Sequence, residues 1–71
     1  MPFIQVKLIN EVFSAEERKE MITRLTDAMV SIEGEHLRAV TWVVIEEVKN
    51  GHWGIGGQAL TAADVKAMAG S

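Results

Sequence analysis

Few side chains in this sequence can do chemistry, and the most informative is Pro2, directly behind Met1. Initiator methionine is commonly removed when a small residue follows it, and proline qualifies. Removal turns the Pro2 nitrogen from an amide into a secondary amine. An ordinary α-amino group titrates at about 7.7–8.0. Burial in an apolar pocket penalises its charged form and lowers that value. The amine is then neutral at cytoplasmic pH, near the optimum for a general base. While Met1 stays attached, the nitrogen has no available lone pair and no base exists. Proline also suits the first position of a strand. From Met-Pro alone, that plain structural use is the commoner one.

The other candidates are aromatic or charged. Trp53 sits inside Gly51-His52-Trp53-Gly54-Ile55-Gly56-Gly57. This stretch lacks the Gly-Lys-Ser/Thr of a phosphate-binding loop, and its glycines read as tight turns or a small hairpin. A tryptophan there is a packing anchor or the wall of a ligand pocket. Phe13 and Trp42 are apolar surfaces for a core, an interface or the same wall. His36 and His52 lie far apart and lack ligand spacing, so no structural zinc site is expected. The absence of cysteine excludes disulfides and thiolate sites.

These residues need elements to hold them. Over residues 2–9, Ile4, Val6 and Leu8 alternate with a mixed second parity, which predicts a strand with one core face. Ser14-Ala15-Glu16-Glu17 fits a capping box, and its acidic residues suit the positive end of a helix dipole. Met21, Ile22, Leu25, Ala28, Met29 and Ile32 form one apolar stripe. Together with a stop at Gly34, they predict a helix over 15–33. Residues 39–48 are apolar on both parities from Ala39 to Ile45, which predicts a strand covered on both faces. Strand, helix and strand make a βαβ unit with parallel strands and a right-handed crossover. Thr61 and Asp64 cap a short C-terminal helix carrying Val65 and Met68.

Size and charge bound the function. The 71 residues make one domain, 1–71. A chain this short buries too little apolar surface to be comfortably stable alone. With no disulfide, and with 48% apolar residues to cover, association with other subunits is the expected stabiliser. The net charge of −3 and the lack of a basic cluster argue against nucleic acid as a partner. No apolar run approaches the ~20 residues of a membrane span. The start has no basic segment followed by an apolar one, so a cytoplasmic protein is expected.

Met-Pro, a strand, Ser14 with an acidic helix start, an apolar second strand and the Gly-His-aromatic-Gly-Ile-Gly-Gly run together resemble the 4-oxalocrotonate tautomerase family. The resemblance reaches to about Leu60. It implies an α/β fold: a β-α-β subunit with a small C-terminal hairpin and short helix, its sheet completed by dimerisation. It also implies a homohexamer built as a trimer of dimers. The implied activity is a cofactor-free, metal-free tautomerase or isomerase. The amino-terminal Pro2 is its general base, moving a proton on a small enol or unsaturated 2-keto acid. Trp53 then replaces the family's usual active-site phenylalanine, and Phe13, Trp42 and Arg38 join the substrate site. The sequence departs from the family pattern at two arginines. The loop Asn10-Glu11-Val12-Phe13 has no cation, and Trp42 falls where the second arginine is expected. Arg38, Lys7 or backbone N–H groups are left to meet a carboxylate. The alternative is a non-catalytic ligand-binding or structural oligomer on the same scaffold, which the missing arginines and the two tryptophans favour.

Overall fold

Strand β1 spans Phe3–Ile9 and starts immediately behind Pro2. The computed structural model describes residues 1–70. After β1 come helix α1 (Ala15–Glu33), a 3-10 turn over Glu35–Val40, strand β2 (Trp42–Val48), the hairpin strands β3 (Trp53–Ile55) and β4 (Gln58–Leu60), and helix α2 (Ala62–Gly70).

The ends of α1 follow from local chemistry. Glu17 N–H donates to Ser14 Oγ at 3.1 Å, and Ser14 N–H donates to Glu17 Oε1 at 2.9 Å. This reciprocal pair satisfies two backbone donors that the first turn leaves open. Gly34 ends the helix at φ +104, and its N–H donates to Val30 O at 2.8 Å. Replacing Ser14 with alanine removes the cap and is expected to cost about 1 kcal/mol. Urea unfolding of the two proteins side by side measures this loss.

β1 and β2 pair in parallel, with Phe3 opposite Trp42 and Ile9 opposite Val48. Ile4, Val6, Leu8, Val43 and Ile45 share the face turned to α1. Glu47 lies on that face too, and it meets Arg18 of α1 at 3.5 Å. On the opposite face Phe3, Lys7, Trp42 and Glu46 are exposed. Gln5 and Lys7 both reach Glu46 there. One chain therefore covers a single face of β2, where the sequence predicts cover on both. The strand also starts at Trp42, not at Ala39. Residues 35–40 wind into a 3-10 turn because Gly34 sends the chain out of α1 and a tight turn must return it to the sheet. Strand propensity at Ala39 and Val40 yields to that connection.

The helix stripe is rotated from its expected side. Met21, Leu25 and Met29 are half-covered and Val30 is buried, but Ile22 is 41% exposed and Ile32 is 85% exposed. In the hairpin, Trp53 pairs with Leu60 and Ile55 with Gln58. Its two turn residues, Gly56 and Gly57, have φ +56 and +82. Two successive positive φ values are what a two-residue turn of this hand requires, which is why glycine fills both places. α2 starts on a second reciprocal cap: Thr61 N–H donates to Asp64 Oδ2 at 2.9 Å, and Asp64 N–H to Thr61 Oγ1 at 3.3 Å. Asn50 Oδ1 also accepts from Ala62 N–H at 2.7 Å.

Little of this is buried. The buried hydrophobic residues are Ile9, Val30 and Ala62. The accessible surface is 5136 Å², against about 4,400 Å² expected for a folded monomer of this mass. The radius of gyration is 14.7 Å, where a compact domain of this length has about 11 Å. The subunit is elongated and leaves apolar surface in water.

Candidate functional site

Pro2 stands half-buried at the head of β1. Its carbonyl accepts a hydrogen bond from Trp42 N–H at 3.1 Å. The parallel register places the Phe3 and Trp42 rings side by side, with centroids 6.5 Å apart. An amine freed at this position would therefore stand at the aromatic end of the sheet. Met1 is 82% exposed and packs little against that end.

Phe13 and Trp53 lie at the other end. They line an open cavity of about 240 Å³ together with Leu8, Val12, Leu60 and Lys7. Seven strand residues at about 3.3 Å each put this cavity roughly 20 Å from Pro2. Within one chain the site residues therefore form two groups: Pro2 with Trp42, and Phe13 with Trp53. The split is topological. In a parallel pair both strands start at one end, so the loop after β1 and the turn after β2 emerge together at the other.

Arg38 joins neither group. It lies just before β2, and its guanidinium is held by its own chain. Nε and Nη2 donate to the two Glu35 carboxylate oxygens at 2.9 and 3.0 Å, and Nη1 donates to Asp27 Oδ1 at 2.8 Å. These bonds to Glu35 and Asp27 push the Arg38 pKa further up. The hydrogen bond from Arg38 holds the Glu35 carboxyl below the usual glutamate value, and slight desolvation works the other way. Because the folded value is the lower one, the pairing acts fully above the ordinary glutamate pKa and is lost as pH falls through the folded value. An NMR titration is expected to place Glu35 below an ordinary glutamate, and Arg38→Met to return it there.

A second ion pair escaped the sequence reading. Arg18 Nη1 donates to Phe13 O at 2.7 Å and meets Glu47 Oε2 at 3.5 Å. Glu11 N–H donates to the same Glu47 oxygen at 3.4 Å, and Asn10 N–H donates to Val48 O at 2.8 Å. Together they fix the loop that presents Val12 and Phe13 to the cavity and hold Glu11 at φ +69. No sequence spacing signals this contact, since it depends on the end of β2 lying beside the start of α1. Among the described residues no group of three histidines or carboxylates is placed to hold a metal. No helix among them is long and apolar enough to cross a membrane.

Comparison with known proteins gives one answer. The Tautomerase enzyme family profile matches residues 2–63. A probable tautomerase of Dickeya dadantii is 36% identical over 61 residues, covering 86% of this chain and 90% of that protein. The crystal structure of apo unfused 4-OT superposes with a TM-score of 0.74 at 30% identity, covering 83% of this chain and 93% of that one. A 4-oxalocrotonate tautomerase isozyme from Methylibium petroleiphilum superposes at 0.71 with 31% identity, covering 90% and 97%. The β-α-β fold matches these structures. With a half-buried proline heading its first strand and a glycine-turned hairpin carrying Trp53, this chain belongs to the tautomerase enzyme family.

Proposed function

We propose that the protein is a cofactor-free, cytoplasmic tautomerase that works as a homohexamer, a trimer of dimers, on a small enol or unsaturated 2-keto acid. Pro2, freed of Met1, is the general base. Its amine takes the enol hydroxyl proton and delivers a proton to carbon, so that C=C–OH becomes CH–C=O and the amine is regenerated. The observation that carries this reading is the half-buried Pro2 at the aromatic end of the sheet, in a chain of this family.

Assembly completes the site. One chain holds its base and its aromatic cavity a strand length apart, and its two-stranded sheet leaves a strand edge open to pair with another copy. Pairing of two sheets into four strands would close an edge and bring the head of one copy's β1 toward another copy's cavity. The surplus accessible surface supports such burial.

Intact mass of untagged protein, followed by an enol ketonisation assay, tests the reading. A mass lower by one methionine with measurable ketonisation is expected. Retained Met1, or a Met-free protein that turns over no enol, would sink it. A second reading, a non-catalytic ligand-binding oligomer, is favoured by the hold of Glu35 and Asp27 on Arg38. It predicts ligands that quench Trp53 without turnover.

A further inference from the structure

The cavity has three walls. Leu8 comes from β1 with Phe13 from the loop behind it, Trp53 comes from the hairpin, and Val65 and Met68 come from α2. The first two walls lie within residues 2–63, where the family profile matches. Val65 and Met68 lie past its end. We propose that α2 acts as an end wall of the site and that Val65 and Met68 are specificity-determining residues, setting the length of substrate that the cavity admits. The proposal rests on the tautomerase reading above and gives its small substrate a structural cause.

The helix is pinned where it meets the cavity. Ala62 is buried, and its N–H donates to Asn50 Oδ1 at 2.7 Å. Asn50 follows β2, so this bond ties α2 to the sheet as well as to the hairpin. Thr61 and Asp64 close their reciprocal cap on the same turn, and Val65 N–H donates to Thr61 O at 3.2 Å. Val65 is thereby held half-buried against the cavity. Met68 stands three residues on, along the same helix face. At about 1.5 Å of rise per residue it extends the wall by about 4.5 Å. Val65 is β-branched and stiff at χ1, whereas the unbranched thioether of Met68 adapts to its neighbours. One therefore sets a fixed limit and the other a yielding one.

The cavity is small enough for this wall to matter. A cavity of roughly 150 Å³ admits the six carbons of benzene, and this one has about 240 Å³. On that scale it holds roughly ten non-hydrogen atoms. A longer chain meets α2. A methylene that an apolar pocket cannot seat changes kcat/KM by about tenfold or more.

The test runs the enols of 2-oxobutanoate, 2-oxohexanoate and 2-oxooctanoate on the wild-type assembly. Its kcat/KM is expected to fall at least about tenfold between the hexanoate and octanoate enols. Val65→Ala and Met68→Ala should each remove most of that fall and leave the butanoate enol unchanged. Val65→Phe should move the fall to between butanoate and hexanoate. These opposite shifts separate a length limit from a general loss of folding. Calorimetric binding of the three 2-oxo acids needs no proton transfer and should show the same limit. A wild-type protein with no fall, a fall that stays in place in all three variants, or no binding of any 2-oxo acid overturns the proposal. Absent turnover, with a binding limit that still moves with residues 65 and 68, would overturn only the proline-base reading and leave this one standing.

Discussion

Replacing Pro2 with alanine is expected to lower kcat/KM for ketonisation about 100-fold or more, while the oligomer and its circular dichroism stay unchanged. A positioned general base contributes typically 10²–10⁴-fold. The loss should fall toward the lower end of that range if Met1 is still removed, because alanine then presents a primary amine at the same place. What is lost is the rigid ring that fixes the direction of the lone pair. Any protein that keeps Met1 should lose the whole effect, since its residue 2 nitrogen is an amide. The fold should tolerate the change. The Pro2 backbone contact is its carbonyl accepting from Trp42 N–H, and alanine keeps that carbonyl. The sign of the pH dependence follows as well. Only the neutral amine is a base, so kcat/KM of the parent should rise with pH through the amine pKa and then level. Equal rates in parent and variant, or a parent rate that falls over that range, would remove Pro2 from the mechanism.

Replacing Trp42 with alanine is expected to break the assembly and, with it, the fold. Trp42 is 53% exposed in one chain and Phe3 beside it is 58% exposed. A large aromatic side chain brings roughly 150–250 Å² of burial to an interface. About half of that remains available here, near 100 Å². At about 25 cal/mol per Å² this is roughly 2.5 kcal/mol for each copy that docks the ring. Buried tryptophans are also frequent hot spots, costing about 2 kcal/mol or more when truncated. The subunit has little core of its own to fall back on, so dissociation and unfolding should coincide. Sedimentation should show the parent as one oligomer and the variant as a smaller species. Thermal unfolding of the parent should shift upward with protein concentration, as mass action requires when only the assembled state is folded. A parent whose melting temperature stays fixed over a hundredfold concentration range would contradict obligate assembly. A variant of unchanged size and stability would place Trp42 outside any interface.

Much of the fold is legible in the sequence, and the reason is range. The helix over Ala15–Glu33 starts and stops where Ser14, Glu17 and Gly34 place it. Caps are contacts between a side chain and backbone a few residues away, so local sequence carries them. The alternation of Ile4, Val6 and Leu8 marks β1, and Gly56-Gly57 marks the hairpin turn, for the same reason. The start of β2 is less legible. Ala39 and Val40 have strand character, but the connection out of Gly34 needs a tight turn, and the longer-range demand wins. The helix stripe fails in a related way: periodicity identifies an apolar side, while the packed sheet decides which part of it is covered. Ile32 remains in water as a result.

Pro2 and Trp53 stand out by residue type and by the motifs around them, so the sequence alone singles them out as candidates. Their separation does not appear there. It follows from parallel pairing, which sends the β1–α1 loop and the hairpin to the end of the sheet opposite Pro2 and Trp42. The hold of Asp27 on Arg38 joins α1 to the turn after it, and the contact of Arg18 with Glu47 joins α1 to β2. Such contacts depend on strand register and crossover geometry. Those are set by the burial of whole faces, not by any short run of residues. The sequence therefore determined the chemical groups and the local elements that carry them. Only the tertiary structure decided which groups meet, because distance in a fold is fixed by packing rather than by position along the chain.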